Sequence, residues 1–233
     1  MNNPSKWLAG TLLATLLASQ AQAAFVLNGT RFIYHGDQNS VNATVRNDSK
    51  LTYGGQVWVA NATPQAEQTH FIPTPTFFKL GAGQSQVVRI LGVQTDELPQ
   101  DRETLTLLNV QEIPPAPKNP GNAISIAVNT QVKLIYRPQA LHSGRKNAAD
   151  RLRLSPGANG LTIDNPTPYY LAITALRQGE QRLRLSAASD KAMATLAPFS
   201  KTVLDERIPL KGLSVETLDD YGAVRSRPAE GQP

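Results

Sequence analysis

The sequence predicts an all-β protein built as two sandwich domains. Three observations carry that reading. The 233 residues include 17 Pro and 16 Gly, too much punctuation for long helices. Apolar residues alternate with polar ones in short runs, the period of a half-buried strand. Turn signals recur about every ten residues, the spacing of sandwich folds.

The first 23 residues have the form of a secretory leader. Lys6 is their only charge, an apolar run covers residues 7–18, and Ala21-Gln22-Ala23 supplies the small-x-small cleavage pattern. The run is too short to span a bilayer comfortably, and no later segment is apolar enough, so no stable membrane insertion is expected. Cysteine is absent, which excludes disulfides, thiolate nucleophiles and Cys-ligated metals. An exported chain without disulfides must rely on its core, which two domains of about a hundred residues can supply. The net charge is +5, but the basic residues are dispersed and form no aromatic–basic motif. They read as solvated surface rather than a nucleic-acid site.

Strands follow in order. One opens the exported chain near residues 25–34. Val41, Ala43 and Val45 alternate with polar neighbours, and Val57 and Val59 flank Trp58. Further runs lie at 70–79, 87–91, 105–110 and 124–136, separated by Gly36-Asp37, Asn47-Asp48, Gly54-Gly55 and Gly81-Ala82-Gly83. That makes about seven strands before Pro138. Residues 139–150 are polar and read as a linker. A smaller set covers Leu152 and Leu154, then 161–165, 169–176, 183–186, 195–203 and 213–218. The polar tail from Arg225 is expected to fray. The expected division is 1–23 leader, 24–140 first domain and 141–233 second domain.

Catalytic signals are missing. There is no G-x-S-x-G elbow and no phosphate-binding glycine loop. His35, His70 and His142 are scattered, and hydrogen-bonded or solvated imidazoles account for them. Asp96-Glu97 and Asp219-Asp220 lack the spacing of a calcium loop. No catalytic residue, metal or cofactor is expected. In the run 123–137, Ile124, Ile126 and Val128 share one face. Two readings stay open there: a strand filling its own core, or an edge strand offering its apolar row to a partner.

Several separated motifs then favour the second reading. Leu98-Pro-Gln-Asp-Arg-Glu103, Asn109, Ile113-Pro-Pro115, Val132-Lys-Leu-Ile-Tyr-Arg-Pro138, Asn165-Pro-Thr-Pro-Tyr-Tyr170 and Asp220-Tyr-Gly222 stand in one order along the chain. With Thr30-Arg31 near the start, this set resembles the PapD-like periplasmic pilus chaperones, of the short-loop class. The resemblance implies two immunoglobulin-like sandwiches in an L or boomerang arrangement. It implies a periplasmic protein that donates a strand, here Ile124, Ile126 and Val128, to incomplete pilus subunits and delivers them to an outer-membrane usher. It assigns Arg31 and Lys133 to the subunit's C-terminal carboxylate, and Glu103, Arg137 and Asp220 to an interdomain charge cluster. Strict alternation places Lys133 on the opposite face from Ile124, Ile126 and Val128, so a twist or bulge must lie between them. Competing readings are a pilus subunit, which would show a mobile apolar extension and usually a cysteine pair, and an exported β-sandwich enzyme or carbohydrate-binding protein, which as an enzyme would need convergent carboxylates.

Overall fold

The computed structural model describes residues 23–62, 69–117 and 125–229. All of the expected leader except Ala23, as well as Ile124 and the last four residues, lie outside these.

The first nine strands form two facing sheets. β1 (Phe25–Leu27), β3 (Ser40–Asn47), β7 (Ser85–Gly92) and β5 (Phe71–Thr74) are neighbours in that order. The second sheet runs β2 (Arg31–His35), β9 (Asn129–Arg137), β8 (Thr104–Ile113), β4 (Tyr53–Asn61), β6 (Phe77–Leu80). The β2–β9 pair is parallel and the other pairs are antiparallel. Alternation sends Ala43, Val45, Val88 and Ile90 inward from one sheet and Val57, Val59, Leu108, Val110, Val132 and Leu134 from the other. Tyr34, Phe71 and Tyr136 close one end of this core, the Tyr34 and Phe71 rings lying 5.1 Å apart.

Two expected single strands are each split between the sheets. Asn28-Gly29 ends β1, the Asn28 carboxamide oxygen accepting a hydrogen bond from Thr44 N at 2.8 Å, and the chain resumes as β2 in the other sheet. Pro75, with no N–H to give a ladder, separates β5 from β6 in the same way. The long strand expected from residue 124 begins only at Asn129. Its partner β8 ends at Ile113 before two prolines, so residues 125–127 find no ladder there, and Val128 O accepts only from Glu112 N at 3.0 Å.

The second domain packs β10 (Arg153–Gly157), β11 (Gly160–Asn165) and β14 (Ser200–Leu204) against a sheet ordered β13 (Gln181–Arg182), β12 (Ile173–Gln178), β15 (Leu213–Leu218), β16 (Val224–Pro228). Leu161, Ile163, Leu171, Leu176, Leu196, Leu204 and Val215 are its centre. Helix α1 (Ala187–Met193) was not foreseen. Ser186 caps it by accepting from Ser189 N at 3.1 Å, and Met193 reaches the core. Residues 183–186 form no strand, and 195–203 contribute one only from Ser200. The tail does not fray where described: β16 pairs with β15 from Ser214↔Pro228 to Leu218↔Val224. Its side chains are polar because they face water, and alternation alone could not tell an edge strand from a free end.

The linker is not loose. It coils into three 3-10 turns, Gln139–Leu141, Arg145–Asn147 and Ala149–Arg151, with Arg145 and Ala148 buried. The Tyr169 hydroxyl donates to Leu141 O at 2.6 Å. Gly144 is needed here, because a β-carbon would stand 2.5 Å from that hydroxyl.

Candidate functional site

Pairing β2 with β9 places Arg31 directly opposite Lys133. Residues from opposite ends of the first domain thus meet at the domain junction, where Arg31, but not Lys133, lines a hollow of about 630 Å³ together with Arg137, Arg145, Asp220 and Tyr221 among others. Burial and then the Arg31 charge hold the Lys133 ammonium down to about 8. Burial, followed by the neighbouring Arg145 charge, lowers Arg31 as well. Lys133 Nζ donates to Ala194 O at the end of α1, so the first domain reaches across to the second. Arg31 Nε is buried with no hydrogen-bond partner. Two desolvated cations side by side repel each other, and an anion between them would relieve that repulsion.

Glu103, Arg137 and Asp220 also come together. Arg137 Nε donates to Glu103 Oε1 at 2.7 Å and Arg137 Nη1 to Asp220 Oδ2 at 2.7 Å. The Glu103 and Arg137 side chains are almost fully enclosed. Burial alone would raise the Asp220 carboxyl, but the Arg137 hydrogen bond and the Arg137, Arg145 and Arg31 charges hold it below its ordinary range. The 165–170 motif explains itself at this junction. Asn165 Nδ2 donates to Tyr169 O and Ala197 O, and its Oδ1 accepts from the Thr167 hydroxyl, which fixes the turn. That turn presents Tyr170 N to Glu103 Oε2 at 2.7 Å and Pro168 O to Glu103 N at 2.9 Å. Glu103 is therefore held by both domains.

Sequence reasoning missed Arg145. Its Nε lies 2.9 Å from Asp220 Oδ1, an ion pair that adds a second cation to the cluster from within the linker. The only available signal was a basic residue in a segment that looked solvated. The histidines are less scattered than expected, since His35 Nδ1 and His142 Nε2 are 3.0 Å apart. That bond needs a neutral ring, and burial, then the His142 and Arg137 charges, lower His35 accordingly.

Of the expected donor row, Ile126 is 72% exposed and Val128 37%, whereas Val132 and Leu134 further along are in the core. The change of role falls at the start of β9, where residues 125–128 leave the strand, and the register from Asn129 to Tyr136 runs on without a bulge. Beside this row the sheet is open. β2 covers β9 only from Lys133 to Arg137, so among the described residues the backbone edge from Asn129 to Val132 has no strand on that side.

Two family descriptions match the chain. "Pili and flagellar-assembly chaperone, PapD N-terminal domain" covers residues 24–142, and "Pili assembly chaperone PapD, C-terminal domain" covers 147–229. Among curated relatives, the chaperone protein FanE of Escherichia coli is 42% identical over 211 residues, 91% of this chain and 92% of the relative. The chaperone protein FimC of Escherichia coli O6:H1 is 36% identical over 225 residues, 93% of this chain and 89% of the relative. Among solved structures, the E. coli chaperone DraB superposes with a TM-score of 0.75 at 27% identity, over 89% of this chain and 98% of that one. The periplasmic chaperone SfaE does so with a TM-score of 0.71 at 28% identity, over 87% of this chain and 97% of that one. Two sandwiches joined through one charge cluster, with both family halves matched in order, place the conclusion beyond the fold: the chain belongs to the PapD family of pili assembly chaperones.

Proposed function

We propose that the protein works in the periplasm, after loss of residues 1–23, as a capture-and-delivery chaperone for fimbrial subunits, with residues 24–140 as the donating domain and 141–233 as its buttress. The observation that carries this is the exposed apolar row Ile126 and Val128 beside an uncovered backbone edge that stops at a pair of cations. An incoming strand can pair with that edge only as far as Arg31 and Lys133. If its terminal carboxylate is to reach them, it must run parallel to β9. Ile124, Ile126 and Val128 then fill the gap in the subunit's sandwich, and the carboxylate sets the register. Glu103, Arg137 and Asp220 fix the angle of the cleft. The loaded chaperone passes its subunit to an outer-membrane usher. Binding and release need no catalytic residue or cofactor.

The test is co-expression in the periplasm with a fimbrial subunit. Ile126→Asp is expected to abolish co-purification while the free chaperone keeps its thermal midpoint. Undiminished capture would refute strand donation, and an unfolded variant would return Ile126 to the chaperone's own core.

A further inference from the structure

Glu112 is a buried carboxylate, 5% exposed, near the end of β8. Among the described residues no lysine, arginine or histidine pairs with it. Its Oε2 instead accepts from Ala24 N at 2.7 Å and Phe25 N at 3.0 Å. Both donors are buried, while Ala23 is exposed. A buried carboxylate without a countercharge is expensive, and two amide N–H groups compensate only part of that cost.

We propose that leader removal between Ala23 and Ala24 completes this site, and that Glu112 is the built-in acceptor for the α-ammonium group so formed. Hydrolysis of the Ala23–Ala24 amide by a leader-removing peptidase consumes one water. It leaves a carboxylate on Ala23 of the departing leader and an ammonium on Ala24. The nitrogen already within hydrogen-bond reach of Glu112 thereby gains a full charge and two more protons. The contact becomes a charge-assisted one in an enclosed site. The arrangement also reads the position of the cut. Retaining Ala23 would leave an amide at Ala24 and move the ammonium about 3.8 Å along the chain, toward water. Because β1 leads directly into β2, a fixed Ala24 also anchors the segment that carries Arg31.

The experiment compares three forms of the purified protein by urea unfolding: one beginning at Ala24, one retaining Ala23, and one beginning at N-acetylated Ala24. Each is made with Glu112 and with Glu112→Gln, and the exported protein is sequenced from its N-terminus. Exported protein is expected to begin at Ala24. Glu112→Gln should raise its unfolding equilibrium constant roughly 10- to 100-fold, and change the other two forms several-fold less. Should Glu112→Gln fail to fold, the comparison of free with acetylated Ala24 on intact Glu112 still decides, the free form being the more stable. Equal losses in all forms, equal stability of free and acetylated protein, or export yielding a different first residue would overturn the proposal.

Discussion

Lys133 shows how a single residue can be tuned against its own fold. Its ammonium titrates near 8, below the ordinary lysine value of 10.5, because it is partly buried beside Arg31. A base whose folded value is depressed is a cost to the free protein. Below about pH 8 Lys133 is charged in both states and the cost is complete. Between about pH 8 and 10.5 the unfolded chain holds the extra proton, so stability rises with pH through that window. Lys133→Met is expected to stabilise the free chaperone at neutral pH by on the order of 1–3 kcal/mol and to flatten that rise, as denaturant titrations at several pH values would record. A bound carboxylate needs Lys133 protonated, so subunit affinity should fall as pH climbs above about 8 in the wild type only. Calorimetric titration against a subunit with a free C-terminus, repeated with Lys133→Met, checks it. The sequence placed Arg31 and Lys133 through family motifs. That they are opposite neighbours in a parallel pair depends on a chain crossing between sheets that alternation cannot register.

At the scale of the element, the run that leads into β9 changes role where the strand begins. The second half of β9 supplies Val132, Leu134 and Tyr136 to the core, while the residues just before the strand expose Ile126 and Val128. Ile126→Asp should therefore shift the free protein's stability by no more than about 0.5 kcal/mol, the range for exposed positions. It should also forfeit the roughly 1.5–3 kcal/mol that burial in a subunit groove supplies. A calorimetric scan beside a pull-down separates the two effects. Strand existence was legible wherever one face is buried, as in β3, β7, β8 and β15. Strand ends were not. Residues 25–34 and 70–79 look continuous because both halves alternate, yet each half faces the core from a different sheet. β16 looked like a tail because an edge strand with polar side chains has the composition of a loop.

For the whole molecule, the domain junction carries the buried cluster of Glu103, Arg137, Asp220 and Arg145. Arg137→Ala would leave Glu103 buried without its cation and Asp220 with Arg145 alone, at a cost of about 3–5 kcal/mol. A lower thermal midpoint and a broader small-angle scattering profile are the expected signs. Asp220, held below its ordinary range, contributes stability that is complete above the unfolded carboxyl value and is lost as pH falls through the folded one. The Asp220 contacts should thus persist at neutral pH and weaken only below about pH 4, whereas Glu103, whose carboxyl burial raises above its ordinary value, takes up its proton first as pH falls; scattering along an acid titration follows the two steps. The cluster's charges were legible one by one, but Arg145 was not, since a linker compacted into 3-10 turns has the composition of a loose one. The crossings from β1 to β2 and from β5 to β6 have a different consequence. Each is a covalent seam between the two sheets of the first domain, one joining β3's neighbour to β9's and the other joining β7's to β4's. Neither sheet can peel away while the other stays ordered, so amide protons of β3 and β8 should exchange in one cooperative opening, with equal free energies, rather than layer by layer.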